Sequence, residues 1–263
     1  MPNYHAWLDE VRPSPYADQL SLGFRWLRFS RVLEREYRAH MLEDSFELKR
    51  IALSVATLIW LALAALDVLV VPASHLGWVI AMRIVVLVIL LVCAALILQR
   101  RHIHLLLPLS MTCILVLGVG AAIIVGIAHH ADPSYPYEGL LLVSMAAYFL
   151  VGLRLSEALA CSLVVLLAYV LAEWFAGLPV PRLVNNVLFL AFGNLIGAVG
   201  CYLLEYKSRE HFLISRLMRL LAYHDSLTGL HNRRSFNRQF ERLWRQAQRD
   251  GKSLALLLCD IDH

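Results

Sequence analysis

The 263 residues predict an all-α polytopic membrane protein with about six transmembrane helices, followed by a helical stalk and by the first helix and strand of an α/β domain. Three observations carry that expectation. The composition is 59% hydrophobic and 17% charged, against roughly 45–50% and 25% in ordinary soluble domains. The apolar residues are gathered into runs near the roughly 20 residues that a helix needs to cross a bilayer. After the last run the pattern changes to turn residues, one amphipathic period and one short apolar run that ends on carboxylates. Four segments follow: 1–50, a cytoplasmic N-terminal helical segment; 51–204, a six-helix transmembrane module; 205–223, a helical stalk; and 224–263, the start of the α/β domain.

Met1 to Arg50 is polar and charged and holds no short apolar core of a cleavable signal peptide, so the N-terminus is expected to stay in the cytoplasm. Within it, Phe24 to Arg50 reads as one charged helix, with Leu27, Val32, Tyr37 and Met41 set among Arg and Glu; a place at the cytoplasmic membrane surface suits it, as does an ordinary solvated or packed helix. The spans are predicted at about 51–71, 77–98, 105–127, 139–153, 156–177 and 184–204. The fourth is the shortest, and only Leu153-Arg154-Leu155 parts it from the fifth, so a tight hairpin or a re-entrant pair is a second reading there.

Cations beside spanning helices are retained in the cytoplasm. Arg25, Arg28, Arg31, Arg35, Arg38, Lys49 and Arg50 precede the first span; Arg100 and Arg101, then Arg154, then Lys207 and Arg209 follow the second, fourth and sixth. The opposite loops hold only Arg182. Both termini are therefore expected in the cytoplasm of a multi-pass protein in contact with membrane lipid. Cys93, Cys113, Cys161, Cys201 and Cys259 show no close pair and predict no disulfide framework.

A charge buried in lipid is costly, so ionisable residues inside spans are functional candidates. Asp67, Arg83, Glu157 and Glu173 qualify as intramembrane sensing residues, with Arg83 and Asp67 as a possible pair between neighbouring helices; Asp67, Glu157 and Glu173 also stand near enough to span ends to meet headgroups. His129, His130, Asp132 and Glu138 could hold a metal such as zinc, but lack chelating spacing on a helix, and a solvated loop is the plainer reading. Between the last span and the turn, Tyr206, Leu213, Leu217 and Leu220 share one helical stripe, too short for an established coiled coil but suited to carry a change out of the membrane bundle and to hold two copies together.

Asp225 to Arg234 reads as a turn, since Gly229 is permissive and Asp225, Ser226 and Thr228 can bond locally to backbone. From Ser235, Phe236, Phe240, Leu243, Trp244 and Ala247 give one apolar helix face, until Asp250-Gly251 breaks it. Leu254 to Leu258 suits a buried strand with Asp260 and Asp262 at its tip; strand-end carboxylates exposed to water are the bland alternative.

The string Asp225-Ser226-Leu227-Thr228-Gly229-Leu230-His231-Asn232-Arg233-Arg234, followed after one helix and one strand by Asp260-Ile261-Asp262, resembles the opening of the GGDEF family of diguanylate cyclases. The resemblance implies that Asp260 is the first Mg2+ ligand, that the Ile261 carbonyl is a second, and that backbone around His263 faces the phosphates of GTP. It implies a structural brace between Asp225 and Arg233 or Arg234, and two domains paired in a homodimer, each holding one GTP, to make cyclic di-GMP. Hard oxygen ligands at a rigid strand end suit a divalent ion beside a triphosphate. The spans resemble, more loosely, the six-helix sensory modules in front of bacterial nucleotide cyclases.

The resemblance covers Tyr223 to His263, about a quarter of a complete cyclase domain, and lacks the guanine-contacting residues, the product-inhibition motif and the GGDEF hairpin. The expectation is a fragment or truncated form of a membrane-bound cyclase, inactive alone. A non-catalytic membrane receptor or dimerisation partner of full-length cyclases is the alternative; a class III adenylate cyclase is disfavoured by Asp225 to Arg234, and a transporter by the missing internal repeat. No nucleic-acid partner is expected.

Overall fold

The computed structural model describes residues 14–44, 46–99, 105–223, 230, 232–257 and 259. Among them run nine helices: α1 (Pro15–Leu22), α2 (Arg31–Asp44), α3 (Phe46–Val70), α4 (Ala73–Leu98), α5 (Leu106–Ala131), α6 (Gly139–Phe149), α7 (Leu155–Ala176), α8 (Val180–Tyr223) and α9 (Arg233–Asp250). The chain divides into two compact units, Glu34–Lys207 and Met1–Leu33 with Ser208–His263.

In the larger unit α3, α4, α5, α7 and α8 are each long and apolar enough to span a bilayer. α6 is not. Its 11 residues extend about 16 Å at the helical rise, half of a hydrocarbon core of about 30 Å. The expected fourth span thus becomes a short helix, because Gly152 turns the chain at φ +65°, a backbone region only glycine enters freely, and Leu150 and Val151 already bond back to the Ala146 carbonyl. α5 is the hub: 56% of its most apolar stretch is buried, against 11% for α3. It packs on α4, α6 and α7, whereas α3 packs chiefly on α4.

Small residues bring these helices close where no hydrophobic drive exists between lipid and side chain. A methyl group at Gly118 would collide with Val165 of α7, and one at Gly126 would lie 3.1 Å from the Ala172 methyl. Amides add polar ties along α8: Asn186 Nδ2 donates to the Tyr169 hydroxyl at 2.9 Å, and the Tyr148 hydroxyl donates to Asn194 Oδ1 at 3.3 Å.

In the smaller unit the expected single helix from Phe24 is broken. α1 ends at Gly23, φ +74°, whose N–H bonds to the Gln19 carbonyl, and Phe24, Leu27 and Phe29 turn inward before α2 starts. This segment covers the C-terminal part of α8. Leu213 and Leu217 are wholly buried, the latter with Ala17, Tyr16 and Leu20, and Phe29 lies 6.2 Å from Phe212. The stripe read as a face between two copies is therefore covered, at Leu213 and Leu217, within one chain.

α9 begins where its cap permits: Asn232 Oδ1 accepts the Ser235 N–H at 2.9 Å, and Gly251 closes the helix in the left-handed conformation. Its aromatic row, Phe236, Phe240 and Trp244, stacks at ring spacings of 6.1 and 6.0 Å. The expected buried strand is not found among the described residues: 252–257 adopt no regular structure, and Leu256 and Leu257 are exposed. A lone apolar run has no neighbouring strand to receive its backbone hydrogen bonds.

Candidate sensory site

Asp225, Asp260, Ile261 and His263, the turn and metal-site candidates, lie outside the described residues. Arg233 and Arg234 open α9, with Arg233 exposed. The described chemistry lies instead in the bundle, where all four intramembrane candidates are buried: Asp67 is 2% exposed, Arg83 6%, Glu157 9% and Glu173 0%. Each of these side chains is enclosed within the bundle.

Two of them pair. Arg83 Nε of α4 donates to Asp67 Oδ2 of α3 at 2.8 Å, and the guanidinium lies 4.3 Å over the Trp60 ring, whose Nε1 donates to the Arg83 carbonyl at 3.1 Å. The second carboxylate oxygen, Oδ1, accepts the Tyr135 hydroxyl at 2.7 Å. Burial, and then this bond to Asp67, raise the Tyr135 phenol well above its usual range, so it remains a donor.

Tyr135 also joins a second pair. Its carbonyl oxygen is 2.7 Å from His129 Nε2, while His129 Nδ1 is 2.7 Å from Glu173 Oε1 of α7. A carboxylate and a carbonyl both accept, so an ionised Glu173 requires hydrogen on both ring nitrogens, and a neutral ring requires the proton on Glu173. Either way the pair holds one more proton than a neutral imidazole beside a bare carboxylate. Glu173 Oε2 is buried without a hydrogen-bond partner. One loop residue thus ties α3, α4, α5 and α7 together at the end of the bundle that carries 132–138.

The metal reading of this loop is not met. His129 is spent on Glu173, His130 Nδ1 faces the Ala176 carbonyl at 3.3 Å, and Asp132 accepts from Ser134 N and Oγ at 2.9 and 2.6 Å. Among the described residues no three His, Cys, Asp or Glu side chains converge. Arg182, the exception to the charge pattern, donates to the Pro133 carbonyl at 3.4 Å.

Glu157 belongs to the opposite end of the bundle. It accepts from the Arg154 N–H at 3.0 Å and from Arg154 Nε at 2.7 Å, at the start of α7. Glu205 of α8 reaches the same helix start, where its Oε2 accepts the Leu155 N–H at 2.8 Å. Lys49 of α3 is 3.5 Å from the Gly152 carbonyl. An N-terminal backbone donor of α7 is thus satisfied by a side chain of α8.

Sequence reasoning did not find Tyr135, Trp60, Asn186 or Glu205. Only the position of Glu205 at the end of an apolar run offered a signal; the others are ordinary residues until packing assigns them partners.

Residues 65–219, more than half of the chain, match the profile of the MASE8 family. The chain belongs to the MASE8 family. MASE8 here denotes a membrane-associated sensor domain, and the match contains Asp67, Arg83, His129, Tyr135, Glu173 and Glu205. Residues 222–263 match the diguanylate cyclase GGDEF domain, in agreement with the resemblance of the turn and the Asp-Ile-Asp. No curated protein matches the chain. The MASE8 helices make this a multi-pass membrane protein, and the GGDEF match places the C-terminal segment in the diguanylate cyclase family, whose members bind GTP and generally use Mg2+.

Proposed function

We propose that the chain is the sensing and transmitting part of a bacterial inner-membrane diguanylate cyclase, with both termini in the cytoplasm and the Tyr135 loop outside. The observation that carries this reading is α8: 44 helical residues, Val180–Tyr223, run without interruption from the last span to the start of the GGDEF match at 222. Glu205 fastens this helix to α7, and α7 also carries Glu173 of the buried network. A shift of α7 that alters the His129–Glu173 pair would therefore move a contact of the helix leading to the catalytic segment.

The bundle 51–204 with its stalk 205–223, within which the MASE8 match at 65–219 falls, is the regulatory part, and 224–263 contributes to the GTP site. There Asp260 and the Ile261 carbonyl would hold Mg2+, with backbone at His263 near the phosphates and Asp225 braced by Arg233 or Arg234. Catalysis requires two such domains, so the working unit is a homodimer; its contact on α8 lies outside Leu213 and Leu217, which the chain covers itself.

The test compares GTP turnover to cyclic di-GMP, with Mg2+, by the purified chain 1–263 and by the same chain continued through one complete GGDEF domain. Turnover only by the longer protein supports this reading. Turnover by neither favours a non-catalytic partner of other cyclases, and turnover by the shorter chain overturns the expectation that 1–263 is inactive alone.

A further inference from the structure

We propose that the cleft between α3 and α6 binds a lipid quinone, a neutral ring with carbonyl oxygens on a long apolar tail, in preference to the reduced quinol. The inference deepens the sensory reading and rests on it for its consequence, but the binding is measured by itself.

The cleft follows from the packing. α3 leans chiefly on α4, and the short α6 packs on α5 and α7, which leaves a cavity of about 770 Å³ between them with α5 as its floor. That volume lies within the roughly 300–1,000 Å³ common for small-molecule sites. Ala56, Leu63, Leu117, Ala121, Val143 and Ala146 give it apolar walls. It extends from Lys49 to Asp67 along α3, 18 residues by subtraction, or about 27 Å at the helical rise, enough for an extended tail.

The polar end sets the head group. Trp60, Asp67, Arg83 and Tyr135 all line it. Arg83 and Asp67 neutralise one another, so a carboxylate or phosphate head would compete for Arg83 and leave Asp67 as a buried, uncompensated charge. A neutral head avoids that cost. Both oxygens of Asp67 already accept, one from Tyr135 and one from Arg83 Nε, whereas a guanidinium has four further N–H donors on its terminal nitrogens. Around the Asp67–Arg83 pair the unused groups are therefore donors, while Glu138, the other carboxylate lining the cavity, is exposed. The site matches the carbonyl oxygens of a quinone better than the hydroxyls of a quinol, which must find acceptors of their own. The half-buried Tyr135 ring provides flat apolar surface for a planar ring.

The experiment titrates the full chain, purified in detergent, with decylubiquinone, decylubiquinol, 1-oleoylglycerol and oleate, and reads stoichiometry and affinity by native mass spectrometry. One decylubiquinone per chain is expected, bound at least about tenfold more tightly than any of the other three, a difference of about 1.4 kcal/mol. Ala56→Phe, which fills the cleft away from the polar cluster, should weaken it at least tenfold while thermal unfolding stays unchanged; Ala146→Phe does the same from the opposite wall if Ala56→Phe fails to fold. Equal binding of all four probes, preference for oleate, 1-oleoylglycerol or the quinol, or wild-type affinity in both Phe variants would overturn the proposal. Accessibility of a cysteine placed at Leu213 is followed in parallel. Quinone binding that leaves it unchanged would uphold the site while removing its coupling to α8, which separates failure of the sensory reading from failure of this one.

Discussion

The two ends of the helical bundle carry buried charge in different ways. At the Tyr135 end, Asp67, Arg83, His129 and Glu173 bond to one another through a single loop residue, and the bonded groups come from α3, α4, α5 and α7. At the Arg154 end, Glu157 accepts from both the backbone N–H and the guanidinium of Arg154, Glu205 accepts the Leu155 N–H, and Arg154 retains 24% side-chain exposure. Removing a member of the first cluster strands another charge in the interior, whereas a loss at the second can be made good by water. The first end therefore has more to gain or lose from a change in its surroundings, which is what a sensing site requires, and the second is suited to hand the resulting shift to α8.

Breaking the buried pair should have the largest effect. Asp67→Ala or Arg83→Ala alone should cost about 3–5 kcal/mol, because an uncompensated buried charge remains. Asp67→Leu with Arg83→Leu should cost less than either single change, which thermal unfolding in detergent would show; additive losses would mean that the two groups do not stabilise each other. Next in size, Tyr135→Phe leaves Asp67 Oδ1 without its donor but keeps the backbone bond to His129, for a loss of about 1–3 kcal/mol. No loss would show that the hydroxyl is not what joins the two pairs.

At the other end the effects should be smaller, and if they are not the contrast is wrong. Glu205→Gln keeps an acceptor at the Leu155 N–H but removes its charge, for about 0.3–1 kcal/mol. Its sharper readout is faster hydrogen exchange in the first turn of α7. Arg154→Ala removes a partly exposed pair worth about 0–1 kcal/mol at most. The smallest effect belongs to Asp132 in the loop. The Ser134 hydroxyl, then the Ser134 N–H, hold its pKa below the usual aspartate range. A depressed carboxylate contributes stability above its unfolded value and loses it as pH falls through the lower folded value. Ser134→Ala should return the Asp132 titration, followed by NMR, toward the ordinary range.

Part of this arrangement was legible beforehand. Five of six spans were readable because apolar length is a local property, and Asp67, Arg83, Glu157 and Glu173 stood out because ionisable groups in apolar runs are rare. The fourth span crosses the bundle with only the short helix α6, because Gly152, a turn signal hidden within an apolar run, follows its early end. The apolar run after Gly251 reads as a strand by composition, but a strand forms only against another. His129 drew notice as a possible metal ligand, since a His-rich loop gives no hint of an acceptor 44 residues further on.

By itself, then, the sequence determined that the chain enters the membrane repeatedly, which residues introduce charge there, and that it ends in a cyclase-like turn, helix and Asp-Ile-Asp. Hydrophobic length and contiguous motifs survive in one dimension. Only the tertiary structure decided that Tyr135 serves both Asp67 and His129, that Glu205 caps α7, and that Leu213 and Leu217 are covered by the N-terminal segment. The reason is physical: a buried polar or apolar group is satisfied by whatever side chain the packing brings to it, and the separations here, 68 residues from Asp67 to Tyr135 and 50 from Leu155 to Glu205, leave no trace in local pattern.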